Sequence, residues 1–343
     1  MYTALQPSLS YRIRRVALMF AALIVVSIGL SAAGCESGET PERAGGEADD
    51  RLSLVVTVGM LEDVVREVAG DRAEVVGMMG PGIDPHLYQP TRTDVGQMID
   101  ADAIFLVGLM LEGQLNESLV RAGEQGKPVF EVAAQLDSEL LLPADEEGKE
   151  FDPHVWMDPT LWGQVVDVVR DSLSELDPEG TDTYASNAAS YRERVEALDA
   201  YAVEVLSSVP ENQRVLVTAH DASGYFASRF GFDVEGIQGV STQSEANPRD
   251  IERLVEILVR RQVGAVFVES TVSEANIEAV IDGAAAQGQT VTIGGELFSD
   301  AMGDAGTYEG TYIGMIDHNV TRIARALGGE APEDGFQGEL GSE

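Results

Sequence analysis

The stretch from Thr181 to Pro210 constrains the fold more than any other part of the chain. Tyr184, Ala188, Tyr191, Val195, Leu198, Ala202 and Val205 recur at three- and four-residue steps, which predicts one helix with a single apolar face. Roughly 27 residues at 1.5 Å each would reach about 40 Å, enough to run along two domains rather than cap one. Strand-like apolar runs alternate with helix-like stretches on both sides of it. Before it, strands are expected at Leu52–Gly59, Ala73–Gly80, Ala103–Leu109 and Pro128–Ala134, with helices at Met60–Ala69, Thr91–Ala101, Leu111–Ala122 and Pro159–Leu176. After it, strands are expected at Arg214–Thr218, Phe232–Gln238, Ala265–Glu269 and Thr290–Gly294, with helices at Ala222–Phe230, Asn247–Arg261, Ser273–Gln287 and Gly306–Leu327. Apolar runs with helices between them indicate parallel sheets covered on both faces, so both halves share one α/β plan.

The N-terminus reads as an export signal. Arg12, Arg14 and Arg15 precede an uncharged run from Val16 to Gly34, which ends in Ala32-Ala33-Gly34-Cys35. This resembles the bacterial lipobox, in which the cysteine becomes a lipidated N-terminus, although Ala32 stands where leucine is more usual. An uncleaved membrane anchor is the other reading. Cys35 is the single cysteine, so the chain has no internal disulfide framework and no cysteine-based zinc site. Residues 36–51 are rich in Gly, Glu and Asp and read as a disordered acidic tether, and residues 329–343 as a flexible tail. The chain carries 59 acidic against 22 basic residues, a formal net charge of −37. Such a surface repels nucleic acid and attracts cations loosely.

Histidine is scarce, and its placement carries the functional signal. Of four histidines, two close identical tripeptides, Asp84-Pro85-His86 and Asp152-Pro153-His154, and a third, His220, follows the strand expected at Arg214–Thr218. All three lie at the strand ends where open α/β sheets bind ligands, and three imidazoles gathered there imply one metal site. Asp300 reaches the same side of the fold, with Glu269 and Glu296 as alternative carboxylates. His318 lies inside the last expected helix and is not expected to be a ligand. Pro85 and Pro153 stiffen the approach to each histidine. Asp84 and Asp152 are either acceptors for imidazole N–H groups or ordinary turn residues, and Glu269 is a further candidate to support a ligand from behind.

Four segments resemble the TroA-type (cluster A-I) solute-binding proteins that serve ABC importers of zinc and manganese. They are Thr218-Ala219-His220-Asp221-Ala222, Gly236 through Thr242, Asp152 through Pro159, and Gly294 through Asp304. The resemblance covers roughly residues 52–328. It implies His86, His154, His220 and Asp300 as the four metal ligands. It also implies two pseudo-symmetric lobes, each a four-stranded mostly parallel sheet with flanking helices, joined by one long rigid helix. The corresponding boundaries are 1–35 for the signal peptide, 52–180 for the N-terminal lobe, 181–210 for the helix and 211–328 for the C-terminal lobe.

Three imidazoles and a carboxylate suit Zn²⁺, and the loop Leu136–Phe151 lacks the histidine-rich run common in zinc-specific members. The expected cargo is therefore one Zn²⁺ or Mn²⁺ ion, with a lean toward zinc. Expected partners are an importer permease and ATPase, and the membrane through lipidated Cys35; the protein itself is expected to be a monomer outside the cytoplasm. Two alternatives remain: a zinc hydrolase using Glu269, Glu296 or Asp221 as base, and a metal-binding surface adhesin. Neutral imidazoles are required for binding, so affinity is expected to fall below about pH 6.5.

Overall fold

The computed structural model describes residues 51–144, 150–244 and 246–341. The expected signal peptide with Cys35, and all of the expected tether except Arg51, lie outside them.

In the N-terminal lobe, β1 (Leu52–Val56), β2 (Ala73–Gly77), β3 (Ala103–Leu106) and β4 (Val129–Glu131) form one parallel sheet in the order β2-β1-β3-β4. Leu54 of β1 lies opposite both Val75 and Ala103. The helices are α1 (Gly59–Ala69), α2 (Arg92–Asp100), α3 (Asn116–Glu124) and α4 (Pro159–Leu176). Local chemistry sets several boundaries. Thr91 and Asp94 form a reciprocal capping box at α2. Asp158 accepts from Thr160 N and Leu161 N while Pro159 opens α4. The helix expected from Leu111 starts only at Asn116, because Glu112 turns inward. Its buried carboxylate takes Thr57 Oγ1 at 2.7 Å, Val107 N at 2.9 Å and Gly108 N at 3.1 Å.

The spine helix α5 spans Thr181–Ser207 and buries the seven apolar positions named above. It packs on α1 and α4 and, near its other end, on α9 (Tyr312–Ala326) of the C-terminal lobe.

In the C-terminal lobe, β5 (Val215–His220), β6 (Asp233–Gln238), β7 (Ala265–Glu269) and β8 (Thr292–Leu297) alternate with α6 (Gly224–Phe230), α7 (Pro248–Arg261) and α8 (Ala275–Ala286) before α9. The strands form two parallel hydrogen-bonded pairs, β5-β6 and β7-β8, with β5 beside β7. The resulting order, β6-β5-β7-β8, repeats that of the first lobe, but here the expected four-stranded sheet is divided at its centre. That centre is where strand order reverses, the crevice in which such folds bind ligands. Two further boundaries shift. β8 runs on to Leu297, and α9 begins at Tyr312 instead of Gly306 because residues 303–311 turn back on themselves, with Gly303 N donating to Glu309 O at 2.9 Å.

The expected flexible tail is instead anchored at Glu330 and Phe336, while most of its described residues are exposed. Phe336 is buried in the core beside Tyr201, and its N–H donates to Asp317 Oδ2 at 2.8 Å. Glu330 N is held by Ser208 Oγ at 2.8 Å. One aromatic side chain and a buried carboxylate on α9 give this Gly/Glu-rich segment the partners that its composition does not suggest.

A single hydrophobic cluster runs through both lobes, from Leu54 and Val64 through Trp156, Trp162 and Tyr191 to Phe226, Tyr312 and Ile316. A smaller cluster lies between α7, α8 and the β5–β7 region. Each fully buried side chain of Leu or Phe size contributes about 1.5–3 kcal/mol. Opening the lobes widely would expose many of them, which opposes such a movement.

Candidate metal centre

Each imidazole is set by its own piece of local structure. His86 lies in the irregular segment between β2 and α2, where Asp84 Oδ1 accepts the His86 backbone N–H at 2.8 Å. The second tripeptide repeats this turn, with Asp152 Oδ1 accepting His154 N–H at 2.9 Å. Here the same oxygen also lies 2.7 Å from His154 Nδ1. His220 is the last residue of β5 rather than the residue after it, and β7 ends beside it at Glu269. Glu269 Oε1 accepts the His220 backbone N–H at 2.9 Å, and its Oε2 lies 2.6 Å from His220 Nδ1. Asp300 follows β8. The segment carrying it is braced from the other lobe by Trp156 Nε1, which donates to Ser299 O at 2.8 Å.

The four groups converge. One ligand atom from each of His86, His154, His220 and Asp300 lies within 4.8 Å of the others, and all four residues are buried. His86 Nε2 and His154 Nε2 are 3.3 Å apart. Asp300 Oδ2 lies 3.5 Å from His86 Nε2 and 3.2 Å from His220 Nε2, and Oδ1 lies 3.2 Å from His154 Nε2. Donors bonded at 2.0–2.1 Å to a tetrahedral ion stand about 3.3–3.4 Å apart, so these separations have the dimensions of a metal's coordination shell. Both Asp300 oxygens face ring nitrogens, which allows the carboxylate to bind through one or both.

The electrostatics favour a cation. Burial alone would lower the pKa of His154, but the Asp152 and Asp300 carboxylates outweigh it and push the imidazole up to about 9. Burial likewise opposes a charge on His220, and Glu269 and Asp300 override it, raising this imidazole well above its ordinary value. Burial would raise Asp300, but His220 and His154 hold it well below the usual carboxylate range. The surrounding carboxylates therefore demand positive charge among them. Protons supply it in the absence of a cation, and a divalent ion supplies it while releasing those protons. The onset expected near pH 6.5 from unperturbed histidine accordingly moves upward.

The other sequence candidates separate clearly. Asp84 takes its bonds from the His86 backbone and from Thr242 Oγ1, at 2.5 Å, across the interface. Glu296 is exposed on β8. His318 sits on α9 with Nε2 3.0 Å from Glu296 O, outside the cluster. Glu269 accepts the His220 N–H through Oε1 and pairs through Oε2 with His220 Nδ1 at 2.6 Å, which places it behind a ligand rather than among the converging donors. Sequence reasoning missed Trp156, Tyr225 and Tyr312, which frame the site from both lobes. Tyr225 OH donates to Asp152 O at 2.9 Å and accepts from Leu142 N at 3.0 Å, and Tyr312 OH donates to Trp156 O at 2.9 Å. Gly224 permits this approach, because a Cβ there would meet Asp152 Oδ2 at 2.9 Å. The available signal was the position of Trp156 inside one histidine motif and of Tyr225 just after the other.

The family described as zinc-uptake complex component A, periplasmic (ZnuA) matches residues 54–326. The manganese-binding lipoprotein MntA of Bacillus subtilis is 42% identical over 309 residues, covering 90% of this chain and 98% of that protein. The zinc-binding protein TroA of Treponema pallidum is 44% identical over 280 residues, covering 82% of this chain and 90% of that protein. The solved structure of that periplasmic zinc-binding protein superposes with a TM-score of 0.78, covering 81% of this chain and 99% of that chain at 43% identity. FimA of Streptococcus parasanguinis, named as a metal ABC transporter substrate-binding lipoprotein, is 30% identical over 319 residues, covering 92% of this chain and 99% of that protein.

Proposed function

The chain belongs to the ZnuA family of periplasmic metal-binding components, and on that premise we propose that it captures one Zn²⁺ or Mn²⁺ ion between its lobes for an ABC-type importer. The observation that carries this reading is the convergence of four buried donor atoms within 4.8 Å of one another, two from each half of the chain. His86 and His154 come from the N-terminal lobe (52–180), His220 and Asp300 from the C-terminal lobe (211–328), and the helix 181–210 joins them. Asp152 and Glu269 orient His154 and His220 and fix which ring nitrogen faces the ion. The partners are the importer's permease and ATPase. Cys35 is assigned as the lipidated residue that holds a monomeric protein at the outer side of the membrane.

No observation favours the hydrolase or adhesin reading. The test is elemental analysis after chelator stripping and reloading from an equimolar Zn/Mn/Fe mixture, beside His220→Ala. One equivalent of metal, lost in the variant, supports the proposal and names the preferred ion. Sub-stoichiometric metal, or metal indifferent to the substitution, refutes it.

A further inference from the structure

The lobes meet around the site in two unlike ways. On the side of His154 and Asp300 the junction is part of the core, where Trp156, Trp162 and Tyr312 pack together and Trp156 and Tyr312 bridge the lobes. On the side of His86 the ligand sits in a segment without helix or strand, residues 78–91, flanked by exposed Ile83 and Leu87. Two side chains of the facing lobe hold that segment. Thr242 Oγ1 donates to Asp84 Oδ2 at 2.5 Å, and Gln243 Nε2 donates to His86 O at 3.0 Å. Both belong to the turn after β6, which is tied back to its own strand by Gln238 Nε2 donating to Ser244 O at 2.9 Å. Asp84 links the two sides, since its other oxygen accepts the His86 N–H.

We propose that Thr242 and Gln243 are positioning residues for metal retention: they act through Asp84 and His86, and their turn is the point at which the cargo is released. The chemistry supports this division. An ion bound by four ligands leaves only when one ligand withdraws, and three of them are fixed on strand ends or core-packed turns. His86 is the one whose segment is held from the opposite lobe by the polar side chains of an irregular turn, whereas the opposite-lobe bonds to Asp152 O and Ser299 O come from core-packed Tyr225 and Trp156. The turn's bonds can exchange with water at little cost, whereas the aromatic junction cannot. Movement of the 241–244 turn therefore frees His86 without disturbing the core.

The inference rests on the metal-binding reading and is tested apart from it. The full-length protein loaded with Zn²⁺ is chased with excess EDTA, and metal loss is followed for wild type, Thr242→Val, Thr242→Ser and Gln243→Met. Loss of a hydrogen bond to a carboxylate predicts about a tenfold faster release in Thr242→Val, with Gln243→Met changed in the same direction. Thr242→Ser restores the wild-type rate, while Zn²⁺ association stays unchanged. Wild-type release rates in both Thr242→Val and Gln243→Met overturn the inference. So does faster release that Thr242→Ser fails to rescue, because that marks a loss unrelated to the hydroxyl. A wild-type protein that takes up no stoichiometric Zn²⁺ removes the binding reading itself, and this inference with it.

Discussion

Replacing Glu269 by glutamine tests the electrostatic account of the site most directly. The carboxylate accepts the His220 backbone N–H through Oε1 at 2.9 Å and sets Oε2 2.6 Å from His220 Nδ1 as an ion pair. Glutamine keeps the shape but removes the negative charge, and with its oxygen on His220 N its amide NH₂ lies against Nδ1. Loss of such an orienting partner costs about 10–100-fold in metal affinity, or about 1.4–2.7 kcal/mol. The substitution also removes the foremost opponent of the burial that disfavours charge on His220, with Asp300 second. In the wild type, His154 titrates near 9 and His220 is raised well above its ordinary value, so metal binding at pH 7.5 displaces up to about two protons. In Glu269→Gln the His220 pKa falls and about one proton is displaced. The affinity gap is therefore widest at alkaline pH and narrows by about tenfold per unit on acidification between the variant and wild-type His220 pKa values. Calorimetry in two buffers of different ionisation enthalpy counts the protons. An unchanged count, or an affinity gap independent of pH, refutes the reasoning.

Three other outcomes follow from the same contacts. The raised His154 pKa stabilises the metal-free protein fully below the unfolded value of 6.5, and this contribution is lost as pH rises through about 9; the metal-free melting temperature should fall over that window, and a flat profile contradicts it. Trp156→Phe leaves Ser299 O without its donor and should destabilise the fold by about 1–3 kcal/mol in urea denaturation, whereas an unchanged midpoint would deny the inter-lobe bond a structural role. Phe336→Ala should cost about 3 kcal/mol by the same assay, and a negligible cost would show the C-terminal segment to be dispensable for stability.

Much of this protein was legible in its sequence because the signals were local. The apolar spacing from Tyr184 to Val205 specifies one long helix through contacts three and four residues apart, and the strand-helix alternation specifies the sheets on either side. Scarcity made the three strand-end histidines conspicuous, although the choice of Asp300 over Glu269 or Glu296 came from resemblance. Tertiary structure decided the rest. Glu269 serves His220 across 49 residues and Thr242 holds Asp84 across 158, pairings with no periodic trace in the chain. Glu296 and Glu269 both lie at strand ends, yet one faces solvent and the other the site. The proton affinities belong in the same class, because they arise from carboxylates that folding brings to buried imidazoles. Sequence fixes what neighbours along the chain can settle between themselves; burial and charge at the metal centre exist only once distant segments share a space that excludes water.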